Sequence, residues 1–108
     1  MVIILFRSKL TPAAGEDYAA MNAELETSVQ KMSGFVAVKH FNAADGERLT
    51  VVWWRDRETL SAWQTDQRHL VAKGAGRKDW YQYYKIELAD VFRHSTFEKS
   101  ELGSSSEV

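Results

Sequence analysis

The chain has 108 residues, 27% of them charged, and a formal net charge of -1, which bounds it to one small domain with a modest core. That charge balance argues against nucleic acid or an anionic membrane as a partner. The absence of cysteine excludes disulfides and thiolate chemistry, and it suits the cytoplasm, where the protein is expected.

Residues 2–10 (Val-Ile-Ile-Leu-Phe-Arg-Ser-Lys-Leu) predict the first strand. The run is apolar on both alternating sets as far as Arg7, the pattern of a strand covered on two faces and hence central in its sheet. Its apolar part is too short for a leader peptide or a membrane span. Pro12 ends it, having no N–H for a ladder. Residues 15–32 predict a helix, because Tyr18, Met21, Leu25, Val29 and Met32 recur at spacings of 3, 4, 4 and 3 on one face. Glu16 and Asp17 suit the positive end of its dipole, and Gly34 can adopt the left-handed conformation that closes it. Residues 35–41 alternate as a second strand, with Phe35, Ala37, Lys39 and Phe41 on one face and Val36, Val38 and His40 on the other. Residues 42–46 carry turn chemistry.

Residues 48–54 then pair back as the third strand, which ends in Trp53 and Trp54. Neighbouring strand residues point to opposite faces, so one layer of helices cannot cover both tryptophans. Asp56 is the expected N-cap of a second helix carrying Leu60, Trp63 and Gln67. A further helical piece is expected at 68–73, before Gly74 and Gly76 interrupt it. An aromatic-dense stretch at 79–84 leads into a last strand at 83–93. There Tyr84, Ile86 and Leu88 share one face and Tyr83, Lys85 and Glu87 the other, with a register change placed near Ala89 and Asp90. Residues 1–94 form the domain. Residues 95–108 read as a polar tail, partly disordered, in which Phe97 offers one docking point.

The order is β-α-β-β-α-β, an α+β ferredoxin-like fold with a four-stranded antiparallel sheet and both helices on one face. The other face carries apolar residues of the first strand, a tryptophan and a tyrosine. Left open, it would exceed the apolar patch that soluble monomers expose, so a homodimer packed sheet to sheet is expected.

The stretch 49–56 (Leu-Thr-Val-Val-Trp-Trp-Arg-Asp), with Ala62-Trp63, His69, Gly76-Arg77, Trp80, Tyr84 and Val91-Phe92-Arg93, resembles the antibiotic biosynthesis monooxygenase family of dimeric α+β barrels. The resemblance implies a pocket between helices and sheet. It also implies oxidation of small aromatic or quinol-like compounds by molecular oxygen without metal or flavin. A haem-binding, haem-degrading branch is the alternative enzyme, and a non-catalytic small-molecule-binding, stress-related dimer is the alternative of another class. The haem branch places a histidine ten residues after the helix tryptophan, where this chain has Lys73. It also has an asparagine on the first strand, where this chain reads Phe6-Arg7-Ser8. Haem is therefore disfavoured, and no cofactor is expected.

Within that resemblance the catalytic candidates are Trp63, His69 and Arg77. Trp63 would stack on a flat substrate, His69 would take a phenolic proton, and Arg77 would hold a carboxylate or a developing oxygen charge. Trp54, Trp80 and Tyr84 are the substrate-binding candidates. Each has a plainer reading as well: Trp63 and Trp54 as core, His69 as a surface residue, Arg77 as a solvated loop. The three histidines make no H-x-x-x-H or H-E-x-x-H spacing, so no metal site is expected.

Overall fold

The computed structural model describes residues 1–66, 74 and 79–99. Its elements are β1 Val2–Leu10, α1 Glu16–Gln30, β2 Phe35–Asn42, β3 Arg48–Trp54, α2 Arg57–Gln64 and β4 Tyr81–Asp90. The strands form one antiparallel sheet in the order β2-β3-β1-β4. β1 lies between β3 and β4, which is where a strand apolar on both sides belongs. The molecule has the ferredoxin-like α+β architecture expected from the order of its elements. The expected helix at 68–73 lies outside the described residues.

The core sits between the sheet and both helices. Val2 and Ile4 of β1, Val52 and Trp54 of β3, Val29 of α1, and Leu60 and Trp63 of α2 meet there. Trp54 is 0% exposed, and its ring stands edge-on to Phe35 at 6.1 Å. Burying a tryptophan of this kind is worth on the order of 5 kcal/mol from area alone.

Two local devices set the angle of α2. Asp56 caps it: Oδ1 accepts from Thr59 N and from Thr59 Oγ1, both at 2.9 Å. These bonds, with Arg55 beside it, hold the Asp56 carboxyl below its ordinary range. Gly34, at φ +86, lets the chain leave α1 and turn into β2. A Cβ there would come within 2.2 Å of Thr59 Oγ1, so the same glycine also admits the start of α2.

The register departs from strict alternation at two places. β2 has an irregularity between Phe35 and Ala37, so Phe35 joins Val38 and His40 on the helix-covered face. The expected grouping of Phe35 with Ala37, Lys39 and Phe41 is corrected accordingly. β4 starts at Tyr81 and ends at Asp90, earlier at both ends than 83–93. Its bulge lies opposite Lys9 and Leu10, not near Ala89 and Asp90. The extra residue is Gln82, and its insertion returns Tyr81 to the face of Tyr84.

The uncovered face carries Ile3, Leu5, Leu49, Val51 and Trp53, with Phe41 at the β2 edge. Phe41 is exposed, while Ile3, Leu5, Leu49 and Trp53 are half-buried. At one end of this face Glu47 accepts from Arg7 Nε at 2.7 Å and from Tyr83 Oη at 2.6 Å. Beyond β4, residues 91–99 run without regular structure, and Phe92 is 98% exposed. Among the described residues no helix is long and apolar enough to cross a membrane.

Candidate functional site

The C-terminal half of α1 closes on the core through Leu25 and Val29, while its N-terminal half lines a cavity of about 180 Å³ above the sheet. The floor comes from Ile4, Phe6 and Ser8 of β1, Arg48, Thr50 and Val52 of β3, and Tyr84 and Ile86 of β4. Tyr18, Met21, Asn22 and Leu25 of α1 form one wall. Trp63 and Gln64 of α2, with Trp80 and Tyr81, complete it.

Aromatic rings dominate this enclosure. Phe6 stacks on Tyr84 at 5.7 Å and meets Tyr81 edge-on at 5.8 Å. Tyr18 stands edge-on to Trp80 at 5.5 Å and to Tyr81 at 6.0 Å. Such contacts fix ring orientations, so the walls are preformed. Trp80 is tied in through its backbone, because its carbonyl accepts from Thr11 N at 2.8 Å.

Of the six expected site residues, three line the cavity: Trp63, Trp80 and Tyr84. Trp63 is 6% exposed and belongs to the core as well, so the packing and pocket-wall readings hold together. Trp54 lies in the core against Phe35 and takes no part in the lining, so a substrate in this cavity would not meet it. His69 and Arg77 lie outside the described residues.

The cavity also has members that the sequence did not single out. Tyr81 reaches it only because of the β4 bulge. Burial first, then the neighbouring Tyr18, pushes the Tyr81 phenol far above its ordinary range, so it stays a neutral hydrogen-bond donor. Arg48 opens β3 with its side chain on the cavity face. Its Nη1 donates to Tyr18 Oη at 3.0 Å, and its guanidinium lies 5.7 Å from the Tyr18 ring centre.

Thr50 connects the cavity to a histidine outside it. His40 is its cross-strand neighbour on β2, and His40 Nδ1 lies 2.9 Å from Thr50 Oγ1. His40 Nε2 lies 3.3 Å from Glu26 Oε1 on α1. The carboxylate can only accept, which assigns the Nε2 proton, and in the neutral ring Nδ1 then accepts from Thr50. Long-range pairing of β2, β3 and α1 makes this chain of groups. No sequence spacing announces it.

Among the described lining residues there is no imidazole, thiolate or carboxylate, and among the described residues no cluster could hold a metal ion.

No family model matches the chain. Two curated relatives do. Protein YqjZ of Bacillus subtilis is 33% identical over 67 residues, covering 62% of this chain and 59% of that protein. Jasmonate monooxygenase ABM of Pyricularia oryzae is 23% identical over 93 residues, covering 84% of this chain and 43% of that protein. The matches thus span about half the length of these relatives. Two solved structures superpose over most of the chain. One is an antibiotic biosynthesis monooxygenase, with a TM-score of 0.73 at 16% identity, covering 86% of this chain and all (100%) of that one. The other is SnoaB, a cofactor-independent oxygenase from Streptomyces nogalater, with a TM-score of 0.72 at 15% identity, covering 86% of this chain and 94% of that one. The fold is that of the antibiotic biosynthesis monooxygenases. At these identities the likeness concerns the fold, and the chemistry must be argued from the cavity.

Proposed function

We propose that the protein is a monooxygenase that oxidises a small aromatic or quinol-like compound with molecular oxygen and without a cofactor. The carrying observation is the preformed cavity of Phe6, Tyr18, Trp63, Trp80, Tyr81 and Tyr84 between the helices and the sheet. The shared fold with a cofactor-independent oxygenase supports the same reading.

An electron-rich phenol gives up an electron to oxygen more readily once it is deprotonated. The protein must therefore hold the ring, accept a proton and exclude water. Trp63 and Trp80 supply faces for the ring. Thr50 can take the phenolic proton while passing its own to His40 Nδ1, and Glu26 stabilises the resulting imidazolium. The neutral Tyr81 hydroxyl, which lines the cavity and shares its proton with Tyr18, can turn to donate to oxygen charge as it develops. In the overall reaction one oxygen atom enters the ring, the other leaves as water, and the substrate supplies the electrons. His69 and Arg77 remain proposed contributors from the resemblance alone.

The active form in this proposal is a homodimer joined through the uncovered sheet face, since Ile3, Leu5, Leu49 and Trp53 would gain cover there. Oxygen consumption with a dihydroxyanthracene tests the activity. Uptake that matches product formation and falls at least tenfold in Trp63→Phe is expected. An unchanged rate in Trp63→Phe, or uptake no faster than without protein, would overturn it.

A further inference from the structure

The cavity holds one charged side chain among its described lining residues, Arg48. Other arginines are answered by carboxylates: Arg7 pairs with Glu47, Arg55 with Asp56 and Arg57 with Asp90. Among the described residues no carboxylate pairs with Arg48, whose partner is the neutral Tyr18 hydroxyl. A guanidinium carries five N–H donors in a planar fork. One of them is engaged by Tyr18 at 3.0 Å, and no other side-chain acceptor for the rest is found among the described residues. A cation beside aromatic rings, with no counter-charge among the described residues, favours a ligand that brings the counter-charge with it.

Polar groups gather at the same end. Asn22 on α1, one turn along from Tyr18, lines the cavity there, and the Tyr81 hydroxyl lies beside Tyr18. Away from Arg48 the lining is made of Ile4, Val52, Ile86 and Trp63, with Gln64 beside Trp63 as a neutral polar group. The described lining is therefore polarised, with a cationic, donor-rich end and an uncharged, mostly apolar end.

We propose that the cavity selects planar aromatic acids, with Arg48 binding an anionic oxygen, carboxylate or phenolate, while the aromatic walls enclose the ring. This rests on the reading of the cavity as a ligand site and adds its charge selectivity. Arg48 is then a specificity-determining residue, and Tyr18 positions it.

The test is equilibrium binding of 2-naphthoate and its neutral isostere 2-naphthamide, followed by tryptophan fluorescence and calorimetry at pH 7. The acid is expected to bind about tenfold more tightly than the amide, in line with a charge-assisted hydrogen bond. In Arg48→Met the ratio should fall below about twofold, with amide binding retained. Binding of 2-naphthol from pH 7 to 10 distinguishes the two anions. Tightening with pH extends the site to phenolates; a flat profile beside a strong naphthoate preference assigns it to carboxylates. Equal binding of acid and amide to the wild-type protein, or a preference that survives Arg48→Met, overturns the inference and leaves the ligand-site reading standing. Failure of both compounds to bind overturns the two together. Should Arg48→Met not fold, the wild-type acid-to-amide ratio and its decline with added salt decide the matter.

Discussion

Trp63 shows how one side chain serves two ends. It is 6% exposed, packs with Leu60 and Trp54, and also presents a face to the cavity. Trp63→Ala is expected to cost about 3–5 kcal/mol in denaturant unfolding, as large aromatic truncations do. Trp63→Phe keeps most of the packing, which makes it the better probe of activity. Gly34→Ala is expected to destabilise by about 1–3 kcal/mol, because a positive φ and the Thr59 side chain both oppose a Cβ. His40→Gln is expected to leave the unfolding midpoint nearly unchanged while lowering the oxygenation rate at least tenfold. A rate equal to wild type would remove His40 from the mechanism.

The legibility of individual elements followed their patterning. β1 and α1 carry long, regular apolar periods, and both fold where those periods lie. Asp56 caps α2 as its residue type and place in the chain suggest. The misread portions are bulges. An irregularity in β2 moved Phe35 onto the helix-covered face, and an extra residue in β4 turned Tyr81 into the cavity. A bulge has no strong sequence signal here, because Gln82 looks like any outward strand residue. Only pairing with Lys9 and Leu10 reveals it. Deleting Gln82 should restore strict alternation with Tyr81 two positions from Tyr84, and so still on the cavity face. The expected readout is retained ligand affinity with a cooperative unfolding transition, and a large loss of affinity would show that the bulge does more than keep Tyr81 in register.

The charges of the whole molecule make its stability depend on pH in a definite direction. Glu47, held by Arg7 and then Tyr83, Asp56, held by Thr59, and Asp90, held by Arg57, are all below their ordinary ranges. Their contribution is complete above the unfolded carboxylate values of 3.8 and 4.5 and is lost as pH falls through the lower folded values. Tyr81 and Tyr83 lie above their ordinary value of 10.0, so their contribution is present below it and lost as pH rises. Thermal unfolding should therefore show a plateau across neutral pH, with the midpoint falling below about pH 4 and again above about pH 10. The uncovered sheet face leads to a further expectation. Sedimentation should give a dimer at micromolar concentration, and Trp53→Arg should shift it to monomer.

By itself the sequence determined the order of the elements, the central place of β1, the two faces of the tryptophan pair and the helix that carries Trp63. Each of these follows from local periodicity or from a residue with a restricted conformation. Tertiary structure decided the rest. Trp54 became core because Phe35 and the helices close over it, while Trp63 reached both core and cavity. Arg48, unremarkable at the start of a strand, became the one charge among the described lining residues of an aromatic cavity, where α1 places Tyr18 against it across 30 positions of sequence. Thr50, His40 and Glu26 likewise meet only when β3, β2 and α1 are assembled. Local pattern specifies which face a residue turns to, whereas the neighbour it finds there depends on contacts between distant segments.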